Sequence, residues 1–232
     1  MNRRNIFIAL DIEFNDALAM ANNLKSAIYG LKIGSVLYNK IGQEGLKKFD
    51  NLNVPLFLDL KFHEIPSIVK KNIFLFKQFK NIEFMTIHSL SSKEMIKEAV
   101  SAAKEINSKL NIMAVTILTS TKSSKDLQKI GIQNNIEEQV KLLVKFSKEC
   151  GVHGVISSAQ NLKMIRTITG GDFKVICPGI RDVNQDNKDD QSATISYSEF
   201  NKIANDNSYC VIGRPVYESK NPIDTLNKII NS

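Results

Sequence analysis

A chain of 232 residues, 43% hydrophobic and 24% charged, is large enough for one extensive core and excludes a disordered, fibrous or disulfide-scaffold protein. The net charge of +7 comes from lysines scattered over helical stretches, such as Lys70-Lys71 and Lys77 to Lys80, so it reads as a solvated surface with a mild attraction for anions, and no nucleic-acid partner is expected. No apolar run approaches the roughly 18 residues of a membrane span, no signal-peptide core follows Met1, and Cys150, Cys177 and Cys210 have no disulfide or zinc spacing, so buried thiols in a cytoplasmic protein are expected.

Short apolar runs then alternate with helical patterns. Ile6–Asp11 is the first run, followed by a helix from about Asn15, its expected N-cap, to Ser26. Tyr29–Gly34 precedes a helix over Ser35–Phe49, and Pro55–Lys61 precedes one over Pro66–Phe79. Ile82–His88 is the fourth run; Ser91 or Ser92 caps the helix after it, which reaches about Asn107. Asn111–Leu118 is the fifth, separated by a polar, loop-like Ser120–Lys125 stretch from a helix over Ile136–Cys150. Val152–Ser157 leads to a helix around Ala159–Ile168, Phe173–Cys177 is the seventh run, and Tyr209–Gly213 the eighth, before a closing helix over Pro222–Ile230. Eight runs in this rhythm predict an α/β fold, a (β/α)8 TIM barrel forming a single domain over residues 1–232. A doubly wound open sheet is the alternative, but no Gly-rich fingerprint follows the first run. The longest irregular piece, Pro178–Ser192, has the length of a functional loop.

The run Val54–Pro66 carries the densest chemistry. Side chains two apart on a strand share a face, so Asp59 and Lys61 point together while Leu58 and Leu60 pack behind. Glu64 falls in the turn before Pro66, which suits a first helical position. An inward-facing ion pair at a strand's C-terminal end is costly unless something uses it. Barrel chemistry sits at the C-terminal ends of the strands, and those positions here hold Asp11, Lys32, Asp59, Lys61, His88, Thr119-Ser120, Pro178 to Arg181, and Gly213-Arg214. The loops after strands seven and eight are where barrels hold phosphate, which makes Arg181 and Gly213-Arg214 anion-binding candidates.

Taken in order, Ala9-Leu10-Asp11, Leu31-Lys32-Ile33-Gly34, Asp59 to Pro66, Leu118-Thr119-Ser120, Pro178-Gly179-Ile180-Arg181, Asp190-Gln191 and Val211 to Pro215 resemble the orotidine 5'-phosphate decarboxylase family over nearly the whole chain. The resemblance implies decarboxylation of orotidine 5'-monophosphate to uridine 5'-monophosphate without cofactor or metal. It implies that Lys61 donates the proton to C6 of the pyrimidine, that Asp59 lies beside the departing carboxylate, and that Lys32 bridges that acid and the ribose, which Asp11 holds. Thr119, Ser120 and Pro178 would line the base side. Gln191, Gly213 and Arg214 would hold the phosphate, and Arg181 would anchor the closing loop. Glu64 would serve the site of a partner subunit, so a homodimer with shared sites is implied. The chain departs from the family pattern in three places. Glu64 stands where the family has Asp. Ser192-Ala193-Thr194 replaces the usual continuation after Gln191, and the loop between Arg181 and Gln191 is rich in Asn and Asp, which leaves Gln185 as an alternative.

Blander readings exist for several of these residues. Asp59 and Lys61 alone could be a structural pair, and His63, His88 and His153 read as structural histidines. Asp59, His63 and Glu64 could suggest metal ligands, but the Lys61 charge between them would repel a divalent ion. Phe74, Phe76 and Phe79 read as helix packing or dimer contacts. Magnesium-dependent sugar-phosphate decarboxylases and hexulose-phosphate synthases share the Asp-x-Lys-x-x-acid pattern but follow it with Ala-Gly, where this chain has Ile65-Pro66. A non-catalytic nucleic-acid-binding barrel is the remaining rival.

Overall fold

A computed structural model describes residues 4–121, 123–181 and 195–231. Eight parallel strands close into a barrel: β1 (Arg4–Ala9), β2 (Ile28–Gly34), β3 (Leu56–Phe62), β4 (Ile82–His88), β5 (Asn111–Val115), β6 (Gly154–Ile156), β7 (Lys174–Pro178) and β10 (Ser208–Ile212), with β10 pairing back to β1. The closed order rules out the open-sheet alternative. Between β7 and β10 lies a small parallel pair, β8 (Ile180–Arg181) with β9 (Ile195–Ser196), which the sequence pattern did not foretell.

The alternation of side chains makes two cores. Along β3, Leu56 and Leu58 face outward into the large cluster beneath the helices, while Phe57 faces the barrel axis. The axial cluster is built on Phe7, whose ring meets Tyr29, Phe57, Phe84 and Tyr209 at 5.3 to 5.8 Å between centroids. Edge-on pairs of this kind contribute about 0.5–1.5 kcal/mol each beyond their burial. They fill the lower barrel. Toward the C-terminal end the inward residues shrink to Ala9, Val115 and Val211, and the barrel opens into a cavity.

The helices begin where their capping chemistry allows. Those ahead of the fifth strand are α1 (Phe14–Leu24), α2 (Ser35–Asp50), α3 (Pro66–Phe74) and α4 (Lys93–Ile106). The rest are α5 (Ser124–Lys129), α6 (Ile136–Glu149), α7 (Leu162–Thr169), α8 (Tyr197–Ile203), α9 (Arg214–Tyr217) and α10 (Pro222–Asn231). Pro66 opens α3, the Ser92 hydroxyl accepts the Met95 N–H at the start of α4, and Asn135 with Glu138 forms a reciprocal capping box on α6. Asn15 is not a cap: α1 starts at Phe14, after Glu13. The third helix stops at Phe74 because the chain then turns Phe76 and Phe79 into the core, where both are nearly fully buried. The fifth strand ends at Val115, three residues earlier than the apolar run suggests; Thr116 ties the loop to β6 through two bonds to the Ile156 carbonyl, 3.1 Å from its N–H and 2.9 Å from its hydroxyl. The sixth strand is likewise shorter than Val152–Ser157, and α5 occupies the end of the stretch read as loop. All three cysteines are buried and free. Among the described residues no helix is long and apolar enough to cross a membrane.

Candidate active site

The inward positions at the ends of β1, β2 and β3 carry Asp11, Lys32, Asp59 and Lys61, and strand register brings them into one row. Ala9 pairs with Lys32, and Gly34 with Asp59. Lys32 Nζ stands 3.2 Å from Asp11 Oδ2 and 3.8 Å from Asp59 Oδ2, and Lys61 Nζ stands 2.8 Å from the same Asp59 oxygen. Gly34 makes the meeting possible. A Cβ there would lie 2.7 Å from Asp11 Oδ1 and 3.0 Å from Lys32 Nζ, too close for either to stay.

Lys61 is one of two non-glycine residues described with positive φ, at 50°. A left-handed backbone costs a side-chain-bearing residue roughly 1–2 kcal/mol, and such strain persists only where its surroundings impose it. Here the β3–β4 register is interrupted between Leu58 and Phe62, and the Lys61 N–H leaves the ladder to donate to Thr86 Oγ1 at 2.8 Å. The Thr86 hydroxyl in turn donates to Asp59 Oδ1 at 3.0 Å.

Burial alone would push the Asp59 carboxyl up. The Lys32 and Lys61 ammonium groups, with the hydrogen bonds from Lys61 and Thr86, outweigh that and hold it below the ordinary carboxylate range. Asp59 is therefore ionised near neutrality. Lys61 is more open, its side chain 40% exposed against 13% for Asp59, so its ammonium faces the cavity.

That cavity, of about 420 Å³, has Ala9, Phe57, Val115, Ile156 and Val211 as its floor. Ile117, Leu118, Thr119 and Ser157 form one wall; Pro178, Gly179, Ile180, Gly213, Arg214, Pro215 and Tyr217 form the far rim. Its size suits a ligand of nucleotide scale. The short helix α9 opens at Gly213, in the place where barrels commonly hold phosphate.

Of the residues singled out from sequence, Asp11, Lys32, Asp59, Lys61, Thr119, Pro178, Gly213 and Arg214 line this cavity. Ser120 is exposed on the loop beyond Thr119 and does not line it. Glu64 is also exposed and outside the cavity of its own chain, where its carboxylate accepts a hydrogen bond from Asn72. Arg181 lies in β8, and Gln191 and Gln185 fall outside the described residues. His63 and His88 stack at 5.4 Å and 25° beside the row; His88 Nδ1 accepts the Leu90 N–H, and burial, His63 and Lys61 all push its imidazole toward the neutral form. His153 Nδ1 accepts the Ile112 N–H. Thr86, Ser157 and Tyr217 went unremarked in the sequence, although Thr86 lies two residues from both Phe84 and His88 and so shares the inward face of its strand.

Lysines and carboxylates thus stand at the end of the barrel where the chemistry of such folds is kept, and fold and site together define a (β/α)8-barrel enzyme. The model of the orotidine 5'-phosphate decarboxylase / HUMPS family matches residues 4–229. An orotidine 5'-phosphate decarboxylase of Wolbachia pipientis (strain wPip) is 36% identical over 228 residues, covering 98% of this chain and 97% of its own. That of Idiomarina loihiensis is 34% identical over 231 residues, covering 98% and 96%. The solved orotidine 5'-phosphate decarboxylase of Lactobacillus acidophilus superposes with a TM-score of 0.81 at 26% identity, covering 100% of both chains. The chain belongs to the orotidine 5'-phosphate decarboxylase / HUMPS family, and it is a carbon–carbon lyase.

Proposed function

We propose that this enzyme decarboxylates orotidine 5'-monophosphate to uridine 5'-monophosphate, the closing step of pyrimidine nucleotide synthesis, and that Lys61 is its proton donor. The observation that carries the reading is the row Asp11, Lys32, Asp59, Lys61 on one side of a nucleotide-sized cavity, with Gly213 and Arg214 on its far rim. In the reaction the bond from C6 to the carboxylate breaks, CO2 leaves, and the electron pair stays on C6. A fixed ammonium beside C6 stabilises that charge and then delivers the proton, after which solvent restores the lysine. Asp59 holds the ammonium in place, and its position beside the substrate carboxylate makes a like-charge contact that CO2 loss relieves; carbanion stabilisation is the larger effect. Asp11 and Lys32 hold the ribose, Thr119 faces the base, and Gly213 and Arg214 grip the phosphate.

The test is the loss of orotidine 5'-monophosphate absorbance with purified enzyme, with and without EDTA. Turnover unchanged by the chelator is expected. No turnover would overturn the reading, and turnover that EDTA abolishes would overturn its metal independence.

A homodimer with shared sites accompanies this proposal. Glu64 points away from its own cavity, and next to it Ile65 is 65% exposed, with Leu75 of the same region 55% exposed. Mixing a Lys61→Ala protein with a Glu64→Ala protein, each inactive alone, is expected to restore activity, since one site of the mixed dimer would hold both native residues. A mixture as inactive as its components would refute sharing.

A further inference from the structure

Thr86 is fully buried in the middle of β4, on the face that also carries Phe84. Its hydroxyl bridges two groups whose chemistry leaves it one orientation. A backbone N–H can only donate and an ionised carboxylate can only accept. The hydroxyl therefore receives the Lys61 N–H at 2.8 Å and gives its own proton to Asp59 Oδ1 at 3.0 Å. That contact occupies one Asp59 oxygen and leaves the other, Oδ2, to both lysines, 2.8 Å from Lys61 Nζ and 3.8 Å from Lys32 Nζ. The same hydroxyl satisfies the Lys61 N–H, which the left-handed turn takes out of the sheet. One hydroxyl thus sets the backbone from which the Lys61 side chain springs and the carboxylate on which its tip rests. Carboxylate torsions are otherwise broad, and sites lose rate when a reacting group moves by about 1 Å.

We propose that Thr86 is a positioning residue of the decarboxylation, fixing the Lys61 ammonium against C6 through both its main chain and Asp59. The proposal rests on the reading of Lys61 as the proton donor. Thr86 touches no substrate, so its loss falls on turnover and leaves binding alone. Asp59 is faced by Lys32 from β2, by Lys61 on its own strand and by Thr86 from β4, with Asp11, just past β1, paired to Lys32. Of these contacts only the Thr86 bond is removed by an isosteric change.

The experiment compares Thr86→Val, Thr86→Ser and Thr86→Ala for kcat, KM and the pH dependence of kcat. Val keeps the shape without the hydroxyl; it is expected to lower kcat by about 10- to 100-fold, the value of one hydrogen bond to a buried charged group, with KM little changed. Its acid limb should move to higher pH, because a bond to the ionised form of Asp59 is gone. Ser keeps the hydroxyl and is expected to turn over near the native rate, while Ala behaves like Val. A Val variant with native kcat, or a Ser variant as slow as Ala, would overturn the positioning role. If Val fails to fold, the Ser-against-Ala comparison decides alone. Native enzyme without turnover would overturn the proposed function and this inference together; native turnover with an unaffected Val variant would overturn only the inference.

Discussion

Lys61→Ala is expected to abolish orotidine 5'-monophosphate decarboxylation, with kcat falling roughly 10⁴-fold or more. A positioned general acid contributes about 10²–10⁴-fold, and a fixed charge aimed at the developing carbanion adds about 10²–10³-fold; Lys61 would supply both. The remaining row cannot replace it. Lys32 is committed to Asp11 at 3.2 Å and stands 3.8 Å from Asp59, its side chain 12% exposed against 40% for Lys61. The folded state should survive, because Asp59 keeps Lys32 and the Thr86 hydroxyl, and the lost ammonium was 40% exposed and already screened by water. Single-turnover loss of substrate absorbance measures the effect, and circular dichroism checks the fold. A variant within tenfold of native would end the claim that this amine carries the reaction.

The site explains which parts of it a sequence can reveal. Strand parity places Asp59 and Lys61 on one face, and the same two-residue period places Lys32 and Asp11 at the ends of their runs, so the charged row was readable before any coordinates. The barrel was readable for the same reason, since eight apolar runs each followed by a helical pattern have few other ways to bury themselves. Parity fails where the chain stops being a strand. Ile117 and Leu118 continue an apolar run, yet they leave the sheet after Val115 and become cavity wall, because Thr116 binds the Ile156 carbonyl. The left-handed turn at Lys61 has no sequence signal, since glycine or asparagine usually marks such a turn and lysine does not. Its cause lies 25 residues away in Thr86, a contact only the folded register creates. Glu64 shows the other limit: within its own chain it is exposed and bonded to Asn72, outside the cavity, so the proposed role in a partner's site is one that a single chain does not display.

Arg214→Ala is expected to lower kcat/KM by about 10- to 100-fold, with part of that loss in kcat itself, because binding energy gathered at a remote group is spent on organising the reacting one. Arg214 lies on the far rim of the cavity, at the end of β10, three steps round the barrel from β3 and its lysine. It cannot touch C6 while it holds a phosphate beside Gly213. A charge-assisted contact of this kind is worth about 1.5–3 kcal/mol, and part of that energy would seat the base against the Lys61–Asp59 pair and displace water from around it, where electrostatic stabilisation then grows. Orotidine, which lacks the phosphate, supplies the control: native and Arg214→Ala enzymes should process it equally slowly. If the variant raised KM with kcat intact, the phosphate grip would be uniform binding and nothing more. If orotidine turnover fell as far as that of the nucleotide, Arg214 would be acting on something other than phosphate.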